Sequence, residues 1–183
     1  ITAAELAYEI LIENDGNNFI YAPLVNYADH TFGVCKKMLD DKNAIMGLGD
    51  GGAHVGFILD AGYPTWLISY WSVKQKAYSM EETVRRLTSD TANAAGLNDR
   101  GLLKVGLKAD INIIDWENVG SSDPFMTQDL PAGGKRLMQY TKGYVTTIVS
   151  GKVTYKNGKF TKERPGTVVK SVKDEEKTLE FIN

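Results

Sequence analysis

The stretch Gly47-Leu48-Gly49-Asp50-Gly51-Gly52-Ala53-His54-Val55-Gly56 holds the residues best suited to chemistry. It sets an acid and a histidine four residues apart in a run of glycines. Read by letter, Gly47, Gly49 and Gly52 fit G-x-G-x-x-G, the dinucleotide fingerprint. That fingerprint also needs a helix opening at the third glycine and a second strand ending in an acid about 20 residues on. Here Gly52 leads only to another helix-weakening residue, Gly56, and Tyr70-Trp71-Ser72 stands where the acid should be. A Walker phosphate loop fails because no Gly-Lys-Ser/Thr follows. The remaining chemical reading makes residues 44–48 a buried parallel strand with Asp50 at its C-terminal end, where barrel enzymes carry their catalytic groups. An aspartate there takes a proton from a metal-bound water, or ligates the metal itself. Gly51 and Gly52 leave room for a substrate against the backbone, and His54 ligates the metal or hydrogen-bonds the substrate. A plainer reading stands beside this one: Asp50 caps a turn and His54 is a satisfied loop histidine.

The elements that must position this stretch are legible in part. Thr2 and Glu5 form a capping box for a helix over residues 3–13, with Leu6, Ile10 and Leu11 on one face. Residues 19–22 are aromatic and β-branched and end at Pro23, which predicts a short strand. A helix over residues 34–39, with Lys36 and Lys37 outward, then the strand at 44–48, completes a βαβ reading. The aromatic run from Trp66 to Trp71 reads as helical. Ser79 and Glu82 form a second capping box, opening a helix through Leu87 with Val84 and Leu87 inward and Arg85 and Arg86 exposed. Ser89 and Asp90 cap a short helix that ends at Gly96.

After about residue 100 the grammar turns to β. Ile111-Asn112-Ile113-Ile114 is a strand. Residues 145–149 and 152–156 are strands joined by Ser150-Gly151, and Asn157-Gly158 turns the chain again, as tight hairpins require. Residues 121–136 read as a polar loop with two prolines and Gly133-Gly134. The tail over residues 170–177 is charged and reads as loosely held.

Composition limits the partners. The chain has 183 residues with 43% hydrophobic and 24% charged residues and a formal net charge of -2, so no basic face is offered to nucleic acid. No apolar run reaches the roughly 18 residues of a membrane span, and no signal segment is visible. The single cysteine, Cys35, excludes an intrachain disulfide, fits a reducing, cytoplasmic compartment and reads as core filler.

Larger matches go beyond pattern. The segment "GLGDGGAHVG", with Asp60-Ala61 and Pro64-Thr65 after it, resembles the loop after the last barrel strand in N-acyl-D-amino-acid deacylases of the amidohydrolase superfamily. The run "MEETVRRLTSDTANAAGLNDRGLLKVGLKADINIID" is similar to the final barrel helices and the start of the superfamily's β-sandwich, with Ala109-Asp110 specific to the superfamily. The run "DLPAGGKRLMQYTKGYVTTIVSGKVTYKNGKF" is similar to the closing stretch of the deacylase branch. The resemblance is colinear over most of the chain.

The resemblance implies an α/β fold: a partial TIM barrel contributing its last strands and helices over residues 1–100, then β-sandwich strands over 101–169 and a charged tail over 170–183. It implies zinc-dependent hydrolysis of the amide bond in N-acyl-D-amino acids or related amides, with a small-molecule substrate. It makes Asp50 the general acid/base and a metal ligand, with Gly51, Gly52 and His54 shaping the substrate pocket. The family's other metal ligands match nothing here: the chain has two histidines, His30 and His54, whereas a catalytic zinc site takes three protein ligands and a barrel about 250 residues. The chain is therefore expected to be the C-terminal part of such an enzyme, inactive alone, without catalytic zinc of its own, and to form a homo-oligomer that covers its unpaired strands. The alternative is a non-catalytic assembly or interaction module on the same fold. A basic residue common in the family, two positions after the tryptophan matching Trp71, is replaced by Val73, with Lys74 beside it.

Overall fold

The computed structural model describes residues 1–22, 26–47, 49 and 54–169. In chain order they form α1 (Ala3–Gly16), α2 (Gly33–Leu39), α3 (Tyr63–Trp66), a π-helix (Leu67–Lys74), α4 (Met80–Leu87) and α5 (Ser89–Ala94). The strands follow: β1 (Ile111–Ile114), β2 (Gly120–Ser121), β3 (Phe125–Leu130), β4 (Gly134–Met138), β5 (Thr141–Lys142), β6 (Tyr144–Val149), β7 (Lys152–Lys156) and β8 (Lys159–Phe160). The chain divides into two compact units. One comprises Ile1–Ala44, Leu48–Gly62 and Ser122–Tyr140; the other Ile45–Gly47, Tyr63–Ser121 and Thr141–Asn183.

In the first unit the predicted cap of α1 is present. The Glu5 N–H donates to Thr2 Oγ1 (3.2 Å) and the Thr2 N–H to Glu5 Oε2 (2.7 Å). Regular helix stops where Glu13 turns extended (ψ 159°) and Asn14 and Asp15 adopt positive φ. No residue of α1 is buried, and Leu6, Ile10 and Leu11 stay 49%, 36% and 43% exposed. α2 forms as read, with Lys36 reaching Asp40 at 2.6 Å one turn on.

Two predicted strands are not formed. Residues 19–22 carry no ladder, and Tyr21 is 86% exposed. Residues 44–47 are irregular, Ile45 is 57% exposed, and Leu48 lies outside the described residues. A strand exists only through its neighbours' hydrogen bonds, and among the described residues the first strand begins at Ile111. The βαβ reading therefore has no paired strands here. The tail at 170–177 and Pro23 also lie outside the described residues.

The expected loop over residues 121–136 is instead mostly a hairpin. β3 and β4 pair antiparallel with Phe125 opposite Met138, Met126 opposite Leu137 and Thr127 opposite Arg136. The prolines and glycines that suggested a loop belong to its flank and its turn, where Ala132 and Gly133 take φ 58° and 72°. Near the turn Arg136 forks onto Asp129 at 2.7 and 2.6 Å, an opposite-charge pair spanning the two strands.

Among the described residues, the buried side chains lie in the second unit. Leu67, Ile68 and Trp71 of the π-helix, Tyr78, Ala92 and Val119 are its buried apolar residues. Ser79 caps α4 by accepting the Glu82 N–H (3.1 Å), but the Glu82 carboxylate turns to Arg85 and Arg86 rather than back to the cap. The inward residue of α4 is Thr83, fully buried with its hydroxyl donating to Ser79 O (2.8 Å). Val84, expected inward, is 43% exposed, and Arg86 lies over the Tyr78 ring at 4.6 Å rather than in solvent. The four-stranded sheet runs β1-β6-β7-β8, all antiparallel, with Ile111 opposite Ile148. Both predicted turns are there: Ser150-Gly151 and Asn157-Gly158 all have positive φ, the mark of a type I′ hairpin. β2 pairs with β5 beside Gly143, whose φ is 87° and where a Cβ would lie 2.6 Å from Val119 Cα.

Candidate functional site

Of the four residues singled out by sequence, Asp50, Gly51 and Gly52 lie outside the described residues; His54 is described. His54 opens a tight turn. Its φ is 51°, and its carbonyl accepts both the Phe57 N–H (2.9 Å) and the Ile58 N–H (3.0 Å). The exposed imidazole lies 5.0 Å from the Phe57 ring. A left-handed conformation costs a non-glycine residue about 1–2 kcal/mol, so the turn must be held by what surrounds it.

The hold comes from a distant part of the chain. Val55 O accepts the Leu137 N–H of β4 at 2.7 Å. Because it reaches Val55 rather than β3, whose Met126 stands opposite Leu137, that N–H points off the outer edge of β4. A few residues on, Gly62 meets Gln139: a Cβ there would lie 2.9 Å from Gln139 Oε1. Gln139 is itself anchored, donating to Ser122 O at 2.7 Å. Segment 54–62 and the hairpin thus belong to one unit, although helices α3 to α5 and strands β1 and β2 lie between them in sequence. Sequence reading missed the pairing because one backbone N–H on an outer strand edge leaves no mark in residue type.

Ala109-Asp110, the stretch specific to the superfamily by resemblance, holds a turn. Asp110 Oδ1 accepts the Ser150 N–H (2.8 Å), Ala109 O accepts the Gly151 N–H (2.9 Å), and Arg100 reaches Asp110 Oδ2 at 3.3 Å. The pair pins the β6–β7 turn. Arg100 also bonds Asp99, which keeps that carboxyl below its ordinary range.

The remaining candidates find local partners. Arg85 and Arg86 pair with Glu82, and Arg85 also with Asp90. Arg85 first and Arg86 second hold the Glu82 carboxyl below its ordinary range. Lys74 lies 5.8 Å from the Tyr70 ring centre. The half-buried Cys35 thiol donates to Asn26 O at 3.4 Å. Among the described residues no three His, Cys, Asp or Glu side chains gather as a metal site requires, so these residues supply no ligand set for zinc. No helix among them is long and apolar enough to cross a membrane.

Comparison with known proteins fixes the class. A family model described as the amidohydrolase family matches residues 22–155. The chain belongs to that family. A dihydroorotase from Lactobacillus acidophilus is 33% identical to it over 89 residues, which is 46% of this chain and 20% of that protein. The match therefore spans about a fifth of the curated relative. No solved structure matches the chain.

Proposed function

We propose that this chain is the C-terminal portion of a metal-dependent amidohydrolase that cleaves the amide bond of N-acyl-D-amino acids. The observation that carries the reading is the family match over residues 22–155, which includes the Asp50 stretch. In this reading residues 1–100 complete a TIM barrel, residues 101–169 belong to its small β-sandwich and residues 170–183 form a charged tail. Asp50 acts as general base and then general acid. It takes the proton of the attacking water and returns it to the nitrogen as the C–N bond breaks. Gly51 and Gly52 admit the substrate to the backbone, and His54 hydrogen-bonds it. Zinc belongs to the parent reaction by resemblance; the described residues do not make a site for it, and no step here is routed through it. The exposed apolar residues of α1 and the outer position of β1 in its sheet among the described residues, with Ile113 50% exposed, support association of the chain into a homo-oligomer.

A second reading keeps the chemistry and changes the substrate. The similarity to a dihydroorotase favours hydrolysis of a cyclic amide. One experiment separates the two: the intact protein is assayed on N-acetyl-D-amino acids and on dihydroorotate. Asp50→Asn should cost about a hundredfold or more in kcat on whichever is turned over, the ordinary worth of a general acid/base. Full activity in the variant would remove Asp50 from the mechanism.

A further inference from the structure

We propose that strand β4 is a positioning element for the substrate-binding turn, with Leu137 acting through Val55 to hold His54; this rests on the role given to His54 above. Three observations converge. His54 sits in a backbone conformation that costs energy (φ 51°). Its turn is closed locally by two hydrogen bonds to its own carbonyl. The next residue is fixed by the 2.7 Å bond from Leu137, on the edge of a hairpin that is a unit partner of segment 54–62. Local bonds define the shape of the turn, and among the described residues the Leu137 bond ties it to the hairpin. Residues 122–140 follow the first strands of the β-rich half in sequence, yet they belong to the unit that carries His54.

The hairpin is itself well braced for this task. Its strands pair in register from Phe125 to Thr127, the Asp129–Arg136 pair closes it near the turn, and Tyr140 N–H donates to Ser122 Oγ at 3.0 Å at its base. It can therefore serve as a fixed rail, and the Leu137 amide is the one rung that reaches Val55.

The test is Leu137→Pro in the intact protein. Proline removes that N–H, and an outer-edge strand position tolerates the ring because no ladder bond to β3 is lost. Exchange of the Phe57 and Ile58 amides should accelerate, and KM for the substrate turned over should rise by about fivefold, the worth of one net hydrogen bond. kcat should stay within about twofold, because uniform binding is what is lost. Lys135→Ala, an exposed position that spares both the Leu137 N–H and the Asp129–Arg136 pair, should leave KM unchanged. A fall in kcat at constant KM would mean lost folded protein and would overturn the proposal. A measurement on the wild type guards against misfolding of the variant. The Leu137 amide should be protected from exchange, and exchange at the rate of a free strand edge would also overturn the proposal. If the wild type turns over neither substrate class, the function reading falls, while the exchange of Leu137, Phe57 and Ile58 still decides the tether.

Discussion

At the scale of single residues, the positions with a demanding geometry are those where only one residue type fits. Gly143 is the clearest. Its φ of 87° suits glycine, and an added Cβ would meet the Val119 backbone at 2.6 and 2.9 Å. Its carbonyl also accepts the Asp115 N–H at 2.7 Å, so the backbone has no slack to move away. Gly143→Ala should lower unfolding stability by about 3 kcal/mol, the upper end of ordinary single substitutions, measured by urea denaturation. Asp110 is demanding in another way. Part of the stretch specific to the superfamily by resemblance, it accepts the Ser150 N–H at the β6–β7 turn, a role in the fold. Asp50, outside the described residues, is assigned the proposed chemistry from its residue type and glycine neighbours.

At the scale of elements, legibility followed the range of the forces. The Thr2 and Ser79 caps and the Ser150-Gly151 and Asn157-Gly158 turns depend on residues within a few positions of one another, and each stands where the sequence puts it. Residues 19–22 and 44–47 have strand composition, but composition supplies no partner strand, and they remain irregular. The β3–β4 hairpin was hidden for the opposite reason. Pro131, Gly133 and Gly134 read as loop, while the pairing of Met126 with Leu137 shows only in the folded chain. The ion pairs of these elements make a testable pH dependence. Arg85 and Arg86 depress the Glu82 carboxyl, and Arg136 depresses that of Asp129. A carboxyl depressed in the folded state adds stability above its unfolded pKa and loses it as pH falls toward the folded value. Thermal stability should therefore decline as pH drops through and below the ordinary carboxylate range. Glu82→Gln should flatten part of that decline, and added salt should weaken the effect, since the pairs are largely exposed.

At the scale of the whole molecule, the distribution of apolar surface is the main observation. Among the described residues, the buried apolar side chains cluster from Leu67 to Ala92 with Val119, while Ile1, Tyr21, Phe57, Leu103 and Val105 are each more than two-thirds exposed. Apolar surface left in water favours association. Light scattering at micromolar concentration should accordingly give a mass above the 20.2 kDa of one chain. A monodisperse monomer would count against the homo-oligomer. The family match and the helix-then-strand order of the described elements agree with an amidohydrolase portion. The choice between linear and cyclic amides is left to the substrate assay, where it belongs, because fold does not dictate substrate.

The bond between Val55 and Leu137 also bears on the order in which the chain acquires its structure. The β6–β7 and β7–β8 turns close over two residues and need little search. Bringing Val55 to Leu137 closes a long loop, whose entropy must be lost before the single bond repays it. The hairpins of the C-terminal half therefore nucleate early, and the His54 segment is fixed late. A nascent chain released before residue 137 would hold the segments of its helices, but β1 and β2 would lack their partners β6 and β5, and Val55 would lack the Leu137 amide. In synthesis as in refolding, the proposed tether of the His54 turn would form only once residue 137 is in place.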